Sequence, residues 1–164
     1  MEEGKTFTSK MSATIVDFLI NMPMFDSLSI NELNIVSKHM NVIKVDPDEV
    51  VFNEDDKGDY VCFVVEGSLE VLKQTEANKS VVLTRLRRNN SIGEMAVIDE
   101  FSRSATVRAV TQSILVTLSR TSFGRIIEDH PRIGIKILKG ISRLLSLNLR
   151  KTSSRLADYM LPLG

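Results

Sequence analysis

The stretch from Asn89 to Val107 holds residue types that could bind a small anionic ligand. Gly93 precedes the acid Glu94, and Arg103 follows that acid by nine positions among small residues. An arginine guanidinium can donate to two phosphate oxygens at once, and a carboxylate accepts hydrogen bonds from hydroxyl groups. The stretch connects two strand-like runs, and connections of this length inside compact domains are usually functional. We therefore expect a pocket for a small phosphorylated ligand here.

Length and composition limit the classes of protein to which the chain could belong. Its 164 residues suit one domain, and a formal net charge of +0 gives no general attraction to nucleic acid or anionic membranes. No run approaches the ~20 apolar residues of a membrane span, and the polar N-terminus is not a secretory signal. The single cysteine, Cys62, lies in an apolar run, cannot form an internal disulfide and is expected to be buried. We expect a cytoplasmic protein in which a disordered arm, residues 1–11, precedes one domain over residues 12–164.

Short runs rich in Val, Ile and Leu dominate the middle of the chain. They follow one another at about 8–12-residue spacing and are separated by turn residues, a pattern that predicts an all-β sandwich or barrel over about residues 42–119. The run at 60–65 is apolar at both parities, so we expect that strand to lie centrally with both faces covered. The predicted strands are Val42–Val45, Val50–Phe52, Tyr60–Glu66, Leu69–Lys73, Val81–Leu86, Ala105–Val110 and Ile114–Ser119.

Helical patterns flank the strands on both sides. Before the strands, apolar spacing predicts one helix over Ser12–Asn21. A second helix is expected to start at Asp26 or Ser29 and to end near His39.

After the strands, Thr121 or Ser122 is expected to cap a short helix, and Pro131 suits the first turn of a longer helix that reaches about Tyr159. The longer helix, of about 25 residues, is apolar on more than one face. It therefore has more surface to bury than one barrel wall offers, and we expect a homodimer through this helix. Packing on its own barrel alone is the alternative. The main apolar stripe is Ile133, Ile137, Ile141, Leu144, Leu145 and Leu149.

Several motifs within residues 24–156 resemble the cyclic nucleotide-binding domain family. This family includes regulatory domains of the bacterial catabolite activator protein, of cyclic-nucleotide-dependent protein kinases and of cyclic-nucleotide-gated channels. The resemblance implies a double-stranded β-helix, or jelly-roll, barrel with N-terminal helices and a long C-terminal helix. The most specific motifs are Gly93-Glu94-Met95-Ala96 and Arg103-Ser104-Ala105-Thr106-Val107; weaker ones are Phe25-x-x-Leu28-Ser29-x-x-Glu32-Leu33, Asp48-Glu49-x-x-Phe52-x-Glu54-x-Asp56-x-Gly58-Asp59 and Phe63-x-x-Glu66-Gly67-x-x-x-Val71.

The same resemblance implies roles for individual residues. Glu94 would accept from the ribose 2′-hydroxyl of a cyclic nucleotide, Arg103 would donate to its phosphate, and the turn from Gly93 through Ala96 would aim backbone N–H groups at that charge. Asn148 falls where the catabolite activator carries a base-contacting polar residue. The predicted ligand-binding residues are Gly93, Glu94, Met95, Ala96, Arg103, Ser104, Ala105 and Asn148.

Two residues bear on the identity of the base. The carboxamide of Asn148 could pair with adenine, although a polar residue on the wet face of a helix is an equally good explanation of it. Ser104 is compatible with cyclic AMP, but in some members that bind cyclic GMP a hydroxyl residue beside the arginine contacts guanine. Cyclic AMP is therefore favoured, and cyclic GMP stays open.

Two turns depart from the family pattern. The run Asn89-Asn90-Ser91-Ile92 stands where the family usually has Gly-Asp-x-Phe, and Asp55 replaces a turn glycine. Asn and Asp are the non-glycine residues that most readily adopt left-handed conformations, so Asn89 and Asp55 are expected to keep the turns. Ser91 and Ile92 are expected to lose aromatic packing beneath the loop.

Catalysis and metal binding find little support in the residues. The chain has His39 and His130, one in each helical region, whereas metal sites in related barrels need clustered histidines. The sequence indicates no histidine partner for Cys62 or for any serine. We expect no enzyme activity, no catalytic residue, no metal and no cofactor beyond a nucleotide ligand.

Two non-catalytic alternatives to a ligand-binding module concern DNA and protein partners. A DNA-binding protein is not expected, because the sequence stops at Leu163-Gly164, just after the long helix, without a helix-turn-helix. The cluster of Arg85, Arg87 and Arg88 is explained at least as well by a solvated strand end as by phosphate contacts. A family member that has lost its ligand and acts through protein contacts stays open.

The expected mechanism is regulatory. Ligand phosphate would order the Asn89–Val107 loop, shift a hinge at Phe123 and move the C-terminal helix, by differential affinity for two helix positions. No effector region is visible in the sequence, so we expect an unknown effector protein acting in trans.

Overall fold

A computed structural model describes residues 14–77 and 79–160. The predicted disordered arm, the first predicted residues of the N-terminal helix and the turn residue Asn78 lie outside them. The described helices are α1 over 14–19, α2 Ile30–Ser37, α3 Arg120–Asp129 and α4 Pro131–Met160. The strands are β1 Met40–Val45, β2 Val50–Phe52, β3 Tyr60–Glu66, β4 Leu69–Gln74, β5 Ser80–Leu86, β6 Ser91–Ile92, β7 Thr106–Ala109 and β8 Ser113–Ser119. Single 3₁₀ turns cover Pro23–Phe25 and Glu94–Val97.

The strands form two four-stranded antiparallel sheets with the orders β1-β8-β3-β6 and β2-β7-β4-β5. Strands that follow one another along the chain are mostly not neighbours in a sheet, which is the jelly-roll arrangement. The predicted mainly β fold with flanking helices and a long C-terminal helix is confirmed, and the predicted strands end within two residues of the observed ones. β6 was not predicted, because two residues are too few to show a period. It pairs Ser91 and Ile92 with Phe63 and Cys62.

Strand β3 is covered on both faces, as its composition predicted. Val61 and Phe63 pack in the cluster that includes the helices, whereas Cys62 and Val64 pack in the cluster between the sheets. None of the four is more than 1% exposed. Burial raises the pKa of the Cys62 thiol from 9.0 to about 12, because the thiolate would have to leave water.

Helix starts follow from capping side chains. Ser29 caps α2 in a capping box with Glu32, so the second of the two predicted caps is the observed one, and such a cap contributes about 1 kcal/mol. Helix α3 is capped by Ser119 through the Ser122 N–H. The predicted caps for α3, Thr121 and Ser122, were therefore wrong by two residues or more, because the last residue of β8 also serves as the cap.

Helix α4 begins at Pro131 as predicted, but its 30 residues exceed the expected length. Its first half packs on the domain through Ile133, Ile137 and Ile141. Gly140 permits this approach, because a Cβ there would collide with the carbonyl of Met24. The second half of α4, from residue 146 to residue 160, is exposed to solvent. Leu149, predicted on the packing stripe, is 68% exposed.

Candidate ligand-binding site

A cavity of about 530 Å³ lies over one sheet of the barrel, between the segment 92–105 and helix α4. We call it the ligand cavity. Its wall brings together the eight residues that the sequence predicted as a binding site, from three separate parts of the chain. They are Gly93, Glu94, Met95, Ala96, Arg103, Ser104, Ala105 and Asn148.

Gly93 shapes the turn at one end of the cavity. It is left-handed, with a φ of 84°, and precedes the 3₁₀ turn Glu94–Val97. A Cβ at this position would collide with Nη1 of Arg103 and lie 3.2 Å from the carbonyl oxygen of Tyr60. Both the conformation and the close approach therefore require glycine. The N–H of Ala96 donates to the carbonyl of Gly93 at 3.1 Å, so this donor is already used within the turn.

The predicted replacements for family glycines keep their turns. Asn89 has a φ of 68° and Asp55 a φ of 67°, both left-handed as expected. The backbone N–H of Asp55 also donates to the carbonyl of Arg103 at 2.9 Å, and the backbone N–H of Arg103 donates to the carbonyl of Asp56 at 2.8 Å. The turn at Asp55 therefore fixes the backbone that carries the arginine.

Arg103 is a buried cation that packs against two aromatic rings. It is 5% exposed, and its Cζ lies 3.9 Å from the ring centroid of Phe52 and 4.7 Å from that of Tyr60. Its Nη2 donates to the carbonyl oxygen of Tyr60 at 2.8 Å. Cation–π attraction of this kind contributes about 0.5–2 kcal/mol per ring and holds the guanidinium in place. The sequence showed the arginine but not the rings, because they come from β2 and β3.

Two donor atoms of the Arg103 side chain make no hydrogen bond with the described residues. Its Nε and Nη1 are buried and have no hydrogen-bond acceptor in the part of the chain that the structure describes. Nor does any described carboxylate form an ion pair with it. An unsatisfied buried donor costs about 1–3 kcal/mol, and more when it is charged. The arrangement is thus suited to an anion that accepts from both atoms.

Glu94 stands on the same cavity wall. It is 6% exposed, and its Oε1 accepts from the hydroxyl of Ser91. Ser91, at the position that the family pattern leaves open, therefore orients the acid. No sequence pattern indicated this contact, because it depends on the turn between the two residues.

Lys73 supplies a second cation that sequence reasoning missed. It lines the ligand cavity, forms an ion pair with Glu54 and donates to the carbonyl of Ser104 at 2.8 Å. The hydrogen bond from Lys73, followed by that from the Gln74 N–H, lowers the pKa of the Glu54 carboxyl. Because Lys73 also donates to Ser104, the Lys73–Glu54 pair holds the backbone next to Arg103 in place.

Arg120, the first residue of α3, ties the turn at the cavity to the C-terminal helices. It donates to the carbonyls of Ala96 at 2.8 Å and Gly58 at 2.7 Å, and also to that of Asp99. Arg120 therefore links the Glu94–Val97 turn to α3 through hydrogen bonds. The sequence offered no signal for this role, because the acceptors are backbone atoms.

Comparison with known proteins agrees with this geometry. A model of the cyclic nucleotide-binding domain matches residues 42–130, which is more than half of the chain. The chain belongs to this family. The match includes the barrel and α3, and thus seven of the eight predicted site residues, with Asn148 beyond it.

Relatives with curated descriptions match over about two thirds of the chain. The cAMP-dependent protein kinase regulatory subunit of Blastocladiella emersonii is 35% identical over 107 residues, which are 65% of this chain and 27% of that protein. Lysophospholipase NTE1 of Chaetomium globosum is 34% identical over 106 residues, 64% of this chain. The chain matches only 7% of the length of that lysophospholipase.

A solved structure shows the same fold. The crystal structure of a cyclic nucleotide-binding domain from Methylobacillus flagellatus aligns with a TM-score of 0.82 at 24% identity. The alignment covers 92% of this chain and 84% of the other. By family and by fold, the domain described here is therefore a cyclic nucleotide-binding domain.

Among residues 14–77 and 79–160, no three His, Cys, Asp or Glu side chains are grouped so that they could hold a metal ion. No helix of this part combines the length and the apolar character needed to cross a bilayer.

Proposed function

We propose that the protein binds a 3′,5′-cyclic nucleotide in the ligand cavity, with cyclic AMP favoured over cyclic GMP. The observation that carries this proposal is the buried guanidinium of Arg103, which has two donors without acceptors and no counter-ion among the described residues. A cyclic phosphodiester has one negative charge and two exocyclic oxygens, and would supply this guanidinium with a counter-ion and with hydrogen-bond acceptors. The regulatory subunit relative, which is named as cAMP-dependent, supports the choice of ligand class.

The other predicted residues would complete the ligand contacts. Glu94, held by Ser91, would accept from the ribose 2′-hydroxyl. The apolar side chains of Leu83 and Leu145 line the cavity and would cover the base, and Asn148 would hydrogen-bond its edge. Adenine is favoured because a carboxamide can pair with its amino group and ring nitrogen.

We propose that Arg120 transmits the effect of ligand binding to helices α3 and α4. A phosphate on Arg103 would tighten the Glu94–Val97 turn, whose carbonyls Arg120 holds. Helix α3, with Phe123 buried at its centre, would shift with this turn, and α4 would follow. The ligand can do this only by binding one helix position more tightly than the other.

The output of this movement would go to a partner. The second half of α4 exposes large apolar side chains, which suit a homodimer in which the two helices pair. An effector protein acting in trans, in the cytoplasm, would then read the helix position. The exposed residues are Leu147, Leu149, Leu156, Tyr159 and Met160.

Thermal unfolding with cyclic AMP, with cyclic GMP and without ligand tests the proposal. At ~100 times the dissociation constant, a ligand adds about 2.7 kcal/mol to the free energy of unfolding. We expect this shift with cyclic AMP, a smaller one with cyclic GMP, and neither in Arg103→Ala. The exposed cation Lys139 serves as a control, and Lys139→Ala should keep the shift. No shift with either nucleotide at millimolar concentration would instead support a module without ligand.

A further inference from the structure

A second cleft, of about 520 Å³, lies beside the ligand cavity. We call it the basic cleft. One wall is the end of β5 with the following turn, and the other is the second half of α4. Ile92, Glu94 and Asn148 line both the basic cleft and the ligand cavity, so the two spaces adjoin.

Cations stand on both walls of the basic cleft. Arg85 lies on the barrel wall, and Lys151 and Arg155 lie on α4, one turn apart and so separated by about 6 Å along the helix. None of the three forms an ion pair in the part of the chain that the structure describes. Like charges that face one another oppose closure of α4 onto the barrel.

The nearby acids compensate these cations only in part. Glu94 is the one acidic residue among those described that line the cleft, and its Oε1 accepts from the hydroxyl of Ser91. Glu70 lies opposite Arg85 across the β4–β5 pair, but its carboxylate accepts two hydrogen bonds from Arg108. Three cations against one acid therefore leave the cleft with a net positive charge.

The neutral polar groups of the cleft can also donate hydrogen bonds. Asn90 accepts from the Arg87 N–H through Oδ1 at 2.8 Å, which leaves its amide N–H₂ group as a donor. Asn89, Thr84 and Thr152 add an amide and two hydroxyls to the wall. Cations and neutral donors together suit a compact ligand with several anionic oxygens.

We propose that the basic cleft is a second ligand site, which binds a free phosphorylated small molecule carrying two or more negative charges. The anion bridges Arg85 on the barrel to Lys151 and Arg155 on α4, and so removes the repulsion between the walls. When the anion is bound, the second half of α4 moves toward the barrel. This inference does not depend on which ligand fills the first cavity.

Calorimetric titration of the whole chain with inorganic pyrophosphate, at constant ionic strength, tests the site. We expect binding in the parent chain and, within about twofold, in Arg103→Ala. The double variant Arg85→Gln/Arg155→Gln should bind about tenfold more weakly or worse, because two charge-assisted contacts are lost. Lys139→Gln, which removes an exposed cation of α4 away from the cleft, should bind as the parent does.

Other outcomes overturn the proposal. If pyrophosphate fails to bind at millimolar concentration, or if Lys139→Gln weakens binding as much as the double variant, no site exists there. If saturating cyclic AMP displaces pyrophosphate from the parent, the anion occupies the ligand cavity instead. This competition experiment replaces the comparison with Arg103→Ala if that variant does not fold. Sedimentation with vesicles containing a phosphatidylinositol phosphate, without binding of free pyrophosphate, would reassign the cleft to a lipid headgroup.

Discussion

Glu94 and Arg103 are both almost fully buried on the wall of one cavity, yet they do not pair with each other. The acid is held by Ser91, and the arginine by the rings of Phe52 and Tyr60. Opposite charges that are buried close together normally pair, because each compensates the desolvation of the other. Here the two groups are kept apart, and a ligand with a hydroxyl and a phosphate could contact both.

Gly93 and Gly124 allow a matched test of the turn. Gly93→Ala should lower the free energy of unfolding by about 1–3 kcal/mol, because a left-handed backbone and a collision with Arg103 must be accommodated. Gly124 lies in α3, and a Cβ there meets nothing within 4 Å. Gly124→Ala should therefore stabilise the protein by about 0.5–1 kcal/mol. Urea unfolding measures both changes; equal effects would mean that the Gly93 turn is not strained by a side chain.

Glu94→Gln should weaken cyclic AMP binding about five- to thirtyfold, since a charged acceptor is replaced by a neutral one. The fold should be kept, because the glutamine carbonyl can still accept from Ser91. Ser91→Ala should weaken binding less, by loss of orientation alone. Fluorescence titration with a labelled nucleotide measures the three affinities. Parent-like binding by Glu94→Gln would show that the acid does not contact the ligand.

The Cys62 thiol should make stability depend on alkaline pH. Its pKa is raised from 9.0 to about 12 in the folded chain, so between these values the unfolded chain loses a proton that the folded chain keeps. Stability from this group is complete below about pH 9 and falls by up to about 1.4 kcal/mol per pH unit above it. Unfolding at pH 8 and pH 10 in the parent and in Cys62→Ala isolates the contribution. An identical pH slope in both would show that the thiol ionises freely.

Arg120→Gln should separate ligand binding from its transmission. The variant loses donors to the carbonyls of Ala96, Gly58 and Asp99 but no group that lines the ligand cavity. We expect cyclic AMP affinity within about tenfold of the parent. Ligand-induced hydrogen-exchange protection in α3 and α4 should be lost, while protection of the Glu94–Val97 turn remains. Unchanged protection of α3 would show that the movement takes another route.

Pairing of α4 between two copies can be tested on its exposed half. Leu149→Lys/Leu156→Lys should convert a dimer to a monomer, because both side chains are more than half exposed and lie where a partner helix would pack. Val81, 46% exposed on β5, provides the control, and Val81→Lys should leave the mass unchanged. Light scattering coupled to size exclusion measures the masses. A monomeric parent at high micromolar concentration would contradict the pairing.

The sequence by itself determined the order of elements and much of the site. Short apolar runs and the turn residues between them predicted where the strands begin and end, because strand period and turn chemistry are local properties. Left-handed turns at Asn89 and Asp55 were likewise predictable from residue type. Seven of the eight predicted site residues come from two compact motifs whose spacing the barrel preserves, and Asn148, which lies on α4 outside both motifs, lines the same cavity.

Only the tertiary structure decided what surrounds those residues. Two rings pack against Arg103, the hydroxyl of Ser91 donates to Glu94, and Arg120 donates to three carbonyls. These contacts join atoms that are distant in sequence or that one particular turn brings together. The two-residue strand β6 and the facing cations of the basic cleft are of the same kind. Such contacts depend on register and on where a helix lies, and no local pattern of residues encodes either.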